Sequence, residues 1–445
     1  MDAPFDRGAL VPHNDQGDHV LSKSRVKARV HQYIGEHREE LLGSLQTLVR
    51  VDTTNPPGRN YRAMTDALLG RCQGLGLQAK VHRVPDQEVR RVLGSDEFPR
   101  YNLIARWDAG RPQTVHFNAH YDVVPCAGQW KFGDPFEPGL AGDALYGRGS
   151  GDMKGAIAAL LMAVEALKET GAEPAFNIEC SFTADEETGG QLGAGWIVNK
   201  GLVDADFAVV CEGAAGTQVG CGHNGVLWLE VELTGKAAHA SSPDQGVNAF
   251  EAMSSVVQKL QAYKRKLNAP QRCYEDFDGR SRNPTLNIGG TFSGGEGDKV
   301  NTVPAYARFS LDRRLVPGEQ IAMVERELRR AVERAAEPPC RVAAPLRIEP
   351  CVVDAEHALP QAFAQAVQAV RRRTASYRLS SGFTDLHYFA VDGGLPGIGY
   401  GVKGERAHGV DERVRVRDLA LTARTYAEFM LRGLASTARL SSPNA

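Results

Sequence analysis

The chain has 445 residues, 42% of them hydrophobic and 24% charged, with a formal net charge of −2. That length exceeds what one hydrophobic core usually serves, so two domains are expected. The near-neutral balance offers no basic surface to nucleic acid or anionic lipid, and no apolar run reaches bilayer-crossing length.

Taken in chain order, residues 26–51 space their apolar side chains as one amphipathic helix, or a pair broken near Gly35. The turn-rich DTTNPPG, residues 52–58, stops it. Helices are predicted over 63–74, 154–170 and 193–200, and strands over 77–84, 101–107, 114–119, 176–183 and 207–212. This alternation marks an α/β layer with a parallel or mixed sheet. The pattern changes near His223: a strand over 226–234, a helix over 246–267, strands over 285–292 and 302–311, a helix over 319–336 and a strand within 340–350. That β-α-β-β-α-β order is ferredoxin-like. The expected division is therefore a catalytic α/β domain over 1–222 and 354–445, interrupted by an α+β domain over 223–353. Past it come a helix over 359–372, a segment 385–389 leading into another, a strand over 395–400 and a last helix over 417–434. The SSPNA tail is expected to be disordered.

The N-terminus, MDAPFDRGALVPHNDQGDH, has no charged-then-apolar signal pattern and reads as a flexible lead-in to a cytoplasmic protein. Eight cysteines form no CxxC pair and read as free, mostly buried thiols of a reducing compartment. Cys126 lies near the candidate site, without the base that a nucleophile needs.

A His or a carboxylate stands where an apolar strand or loop ends at five places: His120-Tyr121-Asp122, Asp152, Asp185-Glu186-Glu187, Glu212 and His408. In open α/β sheets such ends share one crevice. Singly, each has an ordinary explanation, such as a hydrogen-bonded His, an Asp capping a helix or a solvated turn. Together they crowd like charges, which destabilises a fold unless cations sit among them. Imidazoles mixed with carboxylates suit zinc, manganese or cobalt rather than calcium.

The motifs HFNAHYDVVP, GRGSGDMKG, TADEETGG, CEG and AHGVDE resemble, in order and spacing, those of the dinuclear metallohydrolases that include acetylornithine deacetylase, succinyl-diaminopimelate desuccinylase, aminoacylase and glutamate carboxypeptidase. The resemblance runs from about Val26 to the end. It implies a mixed-sheet catalytic domain of zinc-exopeptidase type with an inserted lid or dimerisation domain. It also implies two divalent transition metal ions, zinc first and manganese or cobalt as alternatives. Asp152 would bridge them, His120 and Glu212 completing one site, and Glu187 and His408 the other. Glu186 would be the general base and Asp122 would orient His120. The Asp152–Met153 peptide would be cis.

The resemblance further assigns His239, in GKAAHAS, to a neighbouring subunit's site as an oxyanion donor, which makes the protein a homodimer through the inserted domain. Asn301 and Arg313 would grip a substrate carboxylate, and Thr384 and Asp385 would lie near the site. Phe383 and His387 depart from the family pattern, and His387 and His223 read as structural. The implied reaction is hydrolysis of an amide in a small substrate such as an N-acyl amino acid or dipeptide. Hydrolytic deamination or amidase action on a small aromatic amine or amide, and an inactive binding or assembly relative, are the alternatives.

Overall fold

The computed structural model describes residues 23–434 except 338. The lead-in and the SSPNA tail lie outside the described residues. The main strands are β1 (Gln78–Arg83), β2 (Tyr101–Trp107), β3 (Thr114–His120), β4 (Asn177–Thr183), β5 (Phe207–Ala215), β6 (Gln218–His223), β7 (Gly225–Thr234), β8 (Thr285–Gly294), β9 (Tyr306–Leu315), β10 (Cys340–Ile348), β11 (Cys351–Val352), β12 (Ser376–Ser380) and β13 (Gly397–Gly401). The helices are α1 (Lys23–Glu36), α2 (Arg38–Arg50), α3 (Tyr61–Gly74), α4 (Asp86–Leu93), α5 (Lys154–Glu169), α6 (Ala194–Asn199), α7 (Ala249–Lys266), α8 (Ile321–Glu333), α9 (Ala358–Arg371) and α10 (Val416–Arg432).

The larger sheet runs β1-β2-β4-β3-β5-β13-β6-β11, with β12 paired on β6. Its centre, β4-β3-β5-β13, is parallel, and β1, β2, β6 and β11 add antiparallel pairings. β3 and β4 are buried on both faces after their first residue. Parallel strands covered by helices are built that way. α5 is apolar nearly all round because α1, α2 and α10 pack about it. Tyr426 and Phe429 of α10 meet Phe117 of β3 across the same core.

The smaller sheet, β8-β9-β7-β10, is antiparallel, with α7 and α8 on one face. Taken as strands one to four of their own unit, they run 2-3-1-4, the ferredoxin-like order. β9 alternates half-buried and buried residues along its whole length, with Phe309, Leu311 and Leu315 turned toward the helices. The junctions are tight. Cys351 and Val352 pair with His223 and Gly222 in the large sheet, so the second layer proper runs from residue 225 to 348.

Local differences from the sequence reading have local causes. Of the two readings of residues 26–51 the pair is the one found, broken at His37, two residues past Gly35, which stays inside α1. The strand expected over 302–311 is split into Thr302–Val303 and β9, because Pro304 has no N–H for a ladder. α7 starts at Ala249, where the Asn248 side chain accepts from Phe250 N and Glu251 N at 3.0 and 3.2 Å. Segment 385–389 continues into a π-helical turn, Tyr388–Asp392. All eight cysteines are free.

Candidate dinuclear metal centre

β3, β4 and β5 are parallel neighbours, so their carboxyl ends open on one edge. His120 closes β3, Glu186 and Glu187 form a tight turn after β4, and Glu212 lies in the last half of β5. Asp152 precedes α5, and its peptide bond to Met153 is cis. His408 arrives from beyond the second layer, on a loop where its φ is 63°.

These side chains converge. His120 Nε2 lies 3.3 Å from Asp152 Oδ1, 3.9 Å from Glu186 Oε2 and 4.0 Å from Glu212 Oε2. His408 Nε2 lies 3.3 Å from Asp152 Oδ2 and 3.0 Å from Glu187 Oε2. Two triads result, His120–Asp152–Glu212 and Asp152–Glu187–His408, each with donor atoms within 4.8 Å of one another. Asp152 belongs to both.

The donor set fits a pair of divalent cations. His120 Nε2, Glu187 Oε1 and Glu212 Oε1 are buried without a hydrogen-bond partner, although buried polar atoms are ordinarily paired. Burial pushes the Glu186 and Glu212 carboxyls well above their usual range, and Glu187 up to about 7. Burial also pushes Asp152 up, but the neighbouring imidazoles of His120 and His408 outweigh it and hold the carboxyl below its ordinary value. Hydrogen bonds to Asp152 and Glu187 raise His408 to about 10. Cations placed among these groups would satisfy both the vacant donors and the charge.

Asp122 ties two parts of the cluster together. Its backbone oxygen lies 3.1 Å from His120 Nδ1, and its carboxylate 3.5 Å from the same atom. The carboxylate also accepts from the backbone N–H groups of Glu186 and Glu187, each at 3.2 Å, and from Asn55 Nδ2 at 3.0 Å. It therefore sets the His120 ring and the Glu186–Glu187 turn at once. Glu186 makes no hydrogen bond through its carboxylate among the described residues, and it faces the cluster uncommitted.

Two further groups hold the site without touching it. Asp185, at φ 64°, accepts from Arg100 Nε at 2.7 Å, Tyr61 OH at 2.9 Å and Asn55 Nδ2 at 3.1 Å. The second is a buried ion pair, Arg148 Nη1 to Glu412 Oε2 at 2.6 Å. Glu412 Oε1 accepts from the backbone N–H groups of Gly151 and Asp152 at 2.9 Å each, while Arg148 Nη2 donates to the His408 carbonyl at 3.3 Å. The pair thus joins the Asp152 loop to the His408 loop. Sequence reasoning passed over it, although Arg148 lies within GRGSGDMKG and Glu412 closes AHGVDE.

The remaining sequence candidates lie elsewhere. Thr384 and Asp385 are buried beneath the cluster. Thr183 Oγ1 donates to Asp385 at 3.4 Å, and burial raises Asp385 to about 8. A Cβ at Gly190, whose φ is 70°, would stand 2.3 Å from Asp385 Oδ1, so only glycine fits there. His223 and His387 stack edge to face at 5.6 Å; burial lowers them to about 4 and about 3, and neither belongs to a triad.

His239 and Asn301 sit together in the second layer. His239 pairs with Thr302, and Ala240 N donates to the Asn301 carbonyl at 2.9 Å. His239 is exposed and bonded through Nδ1 to Ser241 Oγ at 2.7 Å, so within one chain neither residue joins the cluster. Arg313 corrects the sequence reading. It is fully buried on the helix-facing side of β9 and paired with Glu319 at 2.5 Å, so no substrate carboxylate can reach it. Arg314, one residue on, lies on the opposite face, gripped by Asp312 at 2.8 and 2.9 Å.

Residues 116–432 match the family model of Peptidase family M20/M25/M40. An uncharacterized metallohydrolase of Methanococcus maripaludis is 28% identical over 243 residues, 51% of this chain and 55% of that protein, so the chain spans about half its length there. Succinyl-diaminopimelate desuccinylase 1 of Alteromonas mediterranea is 28% identical over 346 residues, 74% of this chain and 84% of that protein. Among solved structures, a Bacillus subtilis protein described as a dinuclear metal binding peptidase of the M20 family superposes with a TM-score of 0.63 at 15% identity, covering 89% of this chain and 98% of that one.

Proposed function

Because the chain belongs to Peptidase family M20/M25/M40, a family of metal-dependent hydrolases, we propose that it cleaves the amide bond of a small carboxylate-bearing N-acyl amino acid or dipeptide. The observation that carries this reading is Asp152, shared by two three-residue donor sets, with an uncommitted Glu186 beside them. His120, Asp152 and Glu212 would hold one ion, and Asp152, Glu187 and His408 the other. Bound there, divalent cations, zinc first and manganese or cobalt as alternatives, polarise a carbonyl and lower the pKa of water.

The chain's own residues do the rest. Glu186 takes a proton from water and later returns it to the leaving amine. Asp122 fixes the backbone of Glu186 and the ring of His120 together, so base and ligand keep one geometry. Thr384 and Asp385 support the floor of the site. Asn301 is kept as a substrate contact, standing beside His239 on the second layer.

His239 acts as an oxyanion donor in a second copy's site, within a homodimer formed through the inserted domain. Its exposure, and its absence from the cluster of its own chain, support that role. The dimer is supported by β8, an edge strand of the smaller sheet that exposes Phe292, and by Val300 beyond it. A cytoplasmic setting suits eight free thiols, and among the described residues no helix is long and apolar enough to cross a membrane.

The test is a hydrolysis screen of N-acyl amino acids, dipeptides, aromatic amines and aromatic amides, with zinc, manganese and cobalt supplied separately. Metal content is measured alongside. Turnover of N-acyl amino acids or dipeptides with two ions per chain supports the reading; fewer than about one ion per chain after reconstitution would sink it.

A further inference from the structure

A cleft of about 750 Å³ adjoins the cluster, with Asp152 and Glu212 on one side. β12 and the loop after β13 also line it. Strand alternation turns Ser376, Arg378 and Ser380 toward the cleft while Leu379 is buried behind them. Lys403, two residues past β13, lines the cleft as well.

Both cations are exposed, and among the described residues neither has a carboxylate within ion-pair distance. Arg378 is held only by a long contact from Nη1 to Gln218 Oε1 at 3.5 Å, and Lys403 makes no side-chain bond. Arg313, the residue expected to grip a carboxylate, is buried in the other layer and already paired with Glu319. When metal-free, the cleft sets the carboxylates of Asp152 and Glu212 against an incoming anion although Arg378 and Lys403 line it too. With cations among Asp152 and Glu212 it becomes uniformly attractive.

We propose that Arg378 and Lys403, flanked by the hydroxyls of Ser376 and Ser380, hold a carboxylate at the end of the substrate remote from the scissile amide. The substrate class is thereby narrowed to amides with a second anionic terminus. This rests on the amide-hydrolase reading above. The carboxylate could belong to the acyl part or to the amine part, and the chemistry of its recognition is the same.

Three matched substrates separate the cases: N-acetyl-L-alanine, N-succinyl-L-alanine with the extra carboxylate on the acyl side, and N-acetyl-L-glutamate with it on the amine side. One doubly charged substrate should be preferred. Arg378→Ala with Lys403→Ala should raise its KM by about tenfold or more, leaving kcat and the KM for N-acetyl-L-alanine nearly unchanged, a loss of the size expected for charge-assisted hydrogen bonds. Arg378→Lys with Lys403→Arg should retain most of that preference. Equal effects on all three substrates would overturn the proposal.

If none of the three is hydrolysed, the amide reading fails for them, and the subsite is read by calorimetry instead. Zinc-loaded protein should bind succinate about tenfold more tightly than acetate, and the double alanine variant should lose that margin. Metal-free protein should bind neither. Equal affinities for succinate and acetate in the wild type would overturn the subsite whatever the reaction.

Discussion

In the smaller layer, β9 alternates half-buried and buried residues from end to end, and its buried side chains are apolar except for Arg313, which is paired. In the larger layer, β3 and β4 are buried on both faces yet carry polar groups inside. His116 meets Glu179 at 2.6 Å and Ser181 at 2.7 Å, and Asn118 donates to Ser181 and Thr183. Both layers bury an Arg–carboxylate pair, but they use it differently. Arg313–Glu319 fastens β9 to the turn before α8, Glu319 Oε2 accepting from Val316 N at 3.1 Å and Arg313 donating to the Arg314 carbonyl, whereas Arg148–Glu412 holds the backbone of Asp152 and the loop of His408. A buried ion pair is weak evidence for stability by itself. Its meaning here comes from what its second oxygen or nitrogen holds.

Substitutions at the two layers should therefore part company. The largest effect is expected for Asp152→Ala, which removes a donor from both triads: metal content should fall below one ion per chain by elemental analysis, with turnover lost. Two retained ions would break the shared-ligand reading. Glu186→Gln comes next. It should keep both ions and lose about 10²–10⁴ in kcat, and substantial retained activity would mean the base is elsewhere.

His239→Ala should lower kcat by about 10²–10³ with metal content unchanged, the loss typical of one oxyanion donor. Mixed dimers of His239→Ala and Glu186→Gln chains should recover activity that neither parent has; no recovery would end the cross-subunit role.

The fourth comparison sets the two buried pairs side by side. Glu412→Gln and Arg313→Met should each destabilise the fold, by about 3–5 kcal/mol in denaturant titrations. Only Glu412→Gln should weaken metal affinity, by about 10–100-fold, as loss of ligand-orienting partners does. Equal metal affinity in both variants would reduce Arg148–Glu412 to a structural pair.

Much of this molecule is legible in its residue pattern. The apolar run of α5, the alternation of β7 and β9 and the strand-end acids each carry a periodic or local signal. Segments that carry none escaped: β6 is glycine-broken (QVGCGH), β12 is short and polar (SYRLS), and α4 has one buried residue, Val89. The Asn55–Tyr61–Arg100–Asp185 network escaped because its members are up to 130 positions apart and only folding joins them. Arg313 is different, since its signal was present. Counting by twos from Phe309 and Leu311 puts residue 313 on the helix-facing side, and a one-residue step changes the face. Family resemblance at adjacent arginines could not make that choice; strand parity could.

The ladder partners His223 and Cys351 mark where the chain leaves the large sheet and rejoins it. Antiparallel neighbours of this kind lie about 5 Å apart, a gap that a hairpin loop of a few residues closes. The second layer is thus an excursion whose two ends meet. Residues 225–348 could be replaced by a short glycine-rich turn with every strand of the large sheet left in register. The apolar losses at the seam would be the small cluster of Val226, Leu346 and Ile348 and the packing of Phe277 against Tyr377 of β12. Both donor triads lie wholly outside the excised segment. A trimmed chain would keep the metal centre and give up what the excursion supplies, which makes the contribution of each layer separable by genetic surgery.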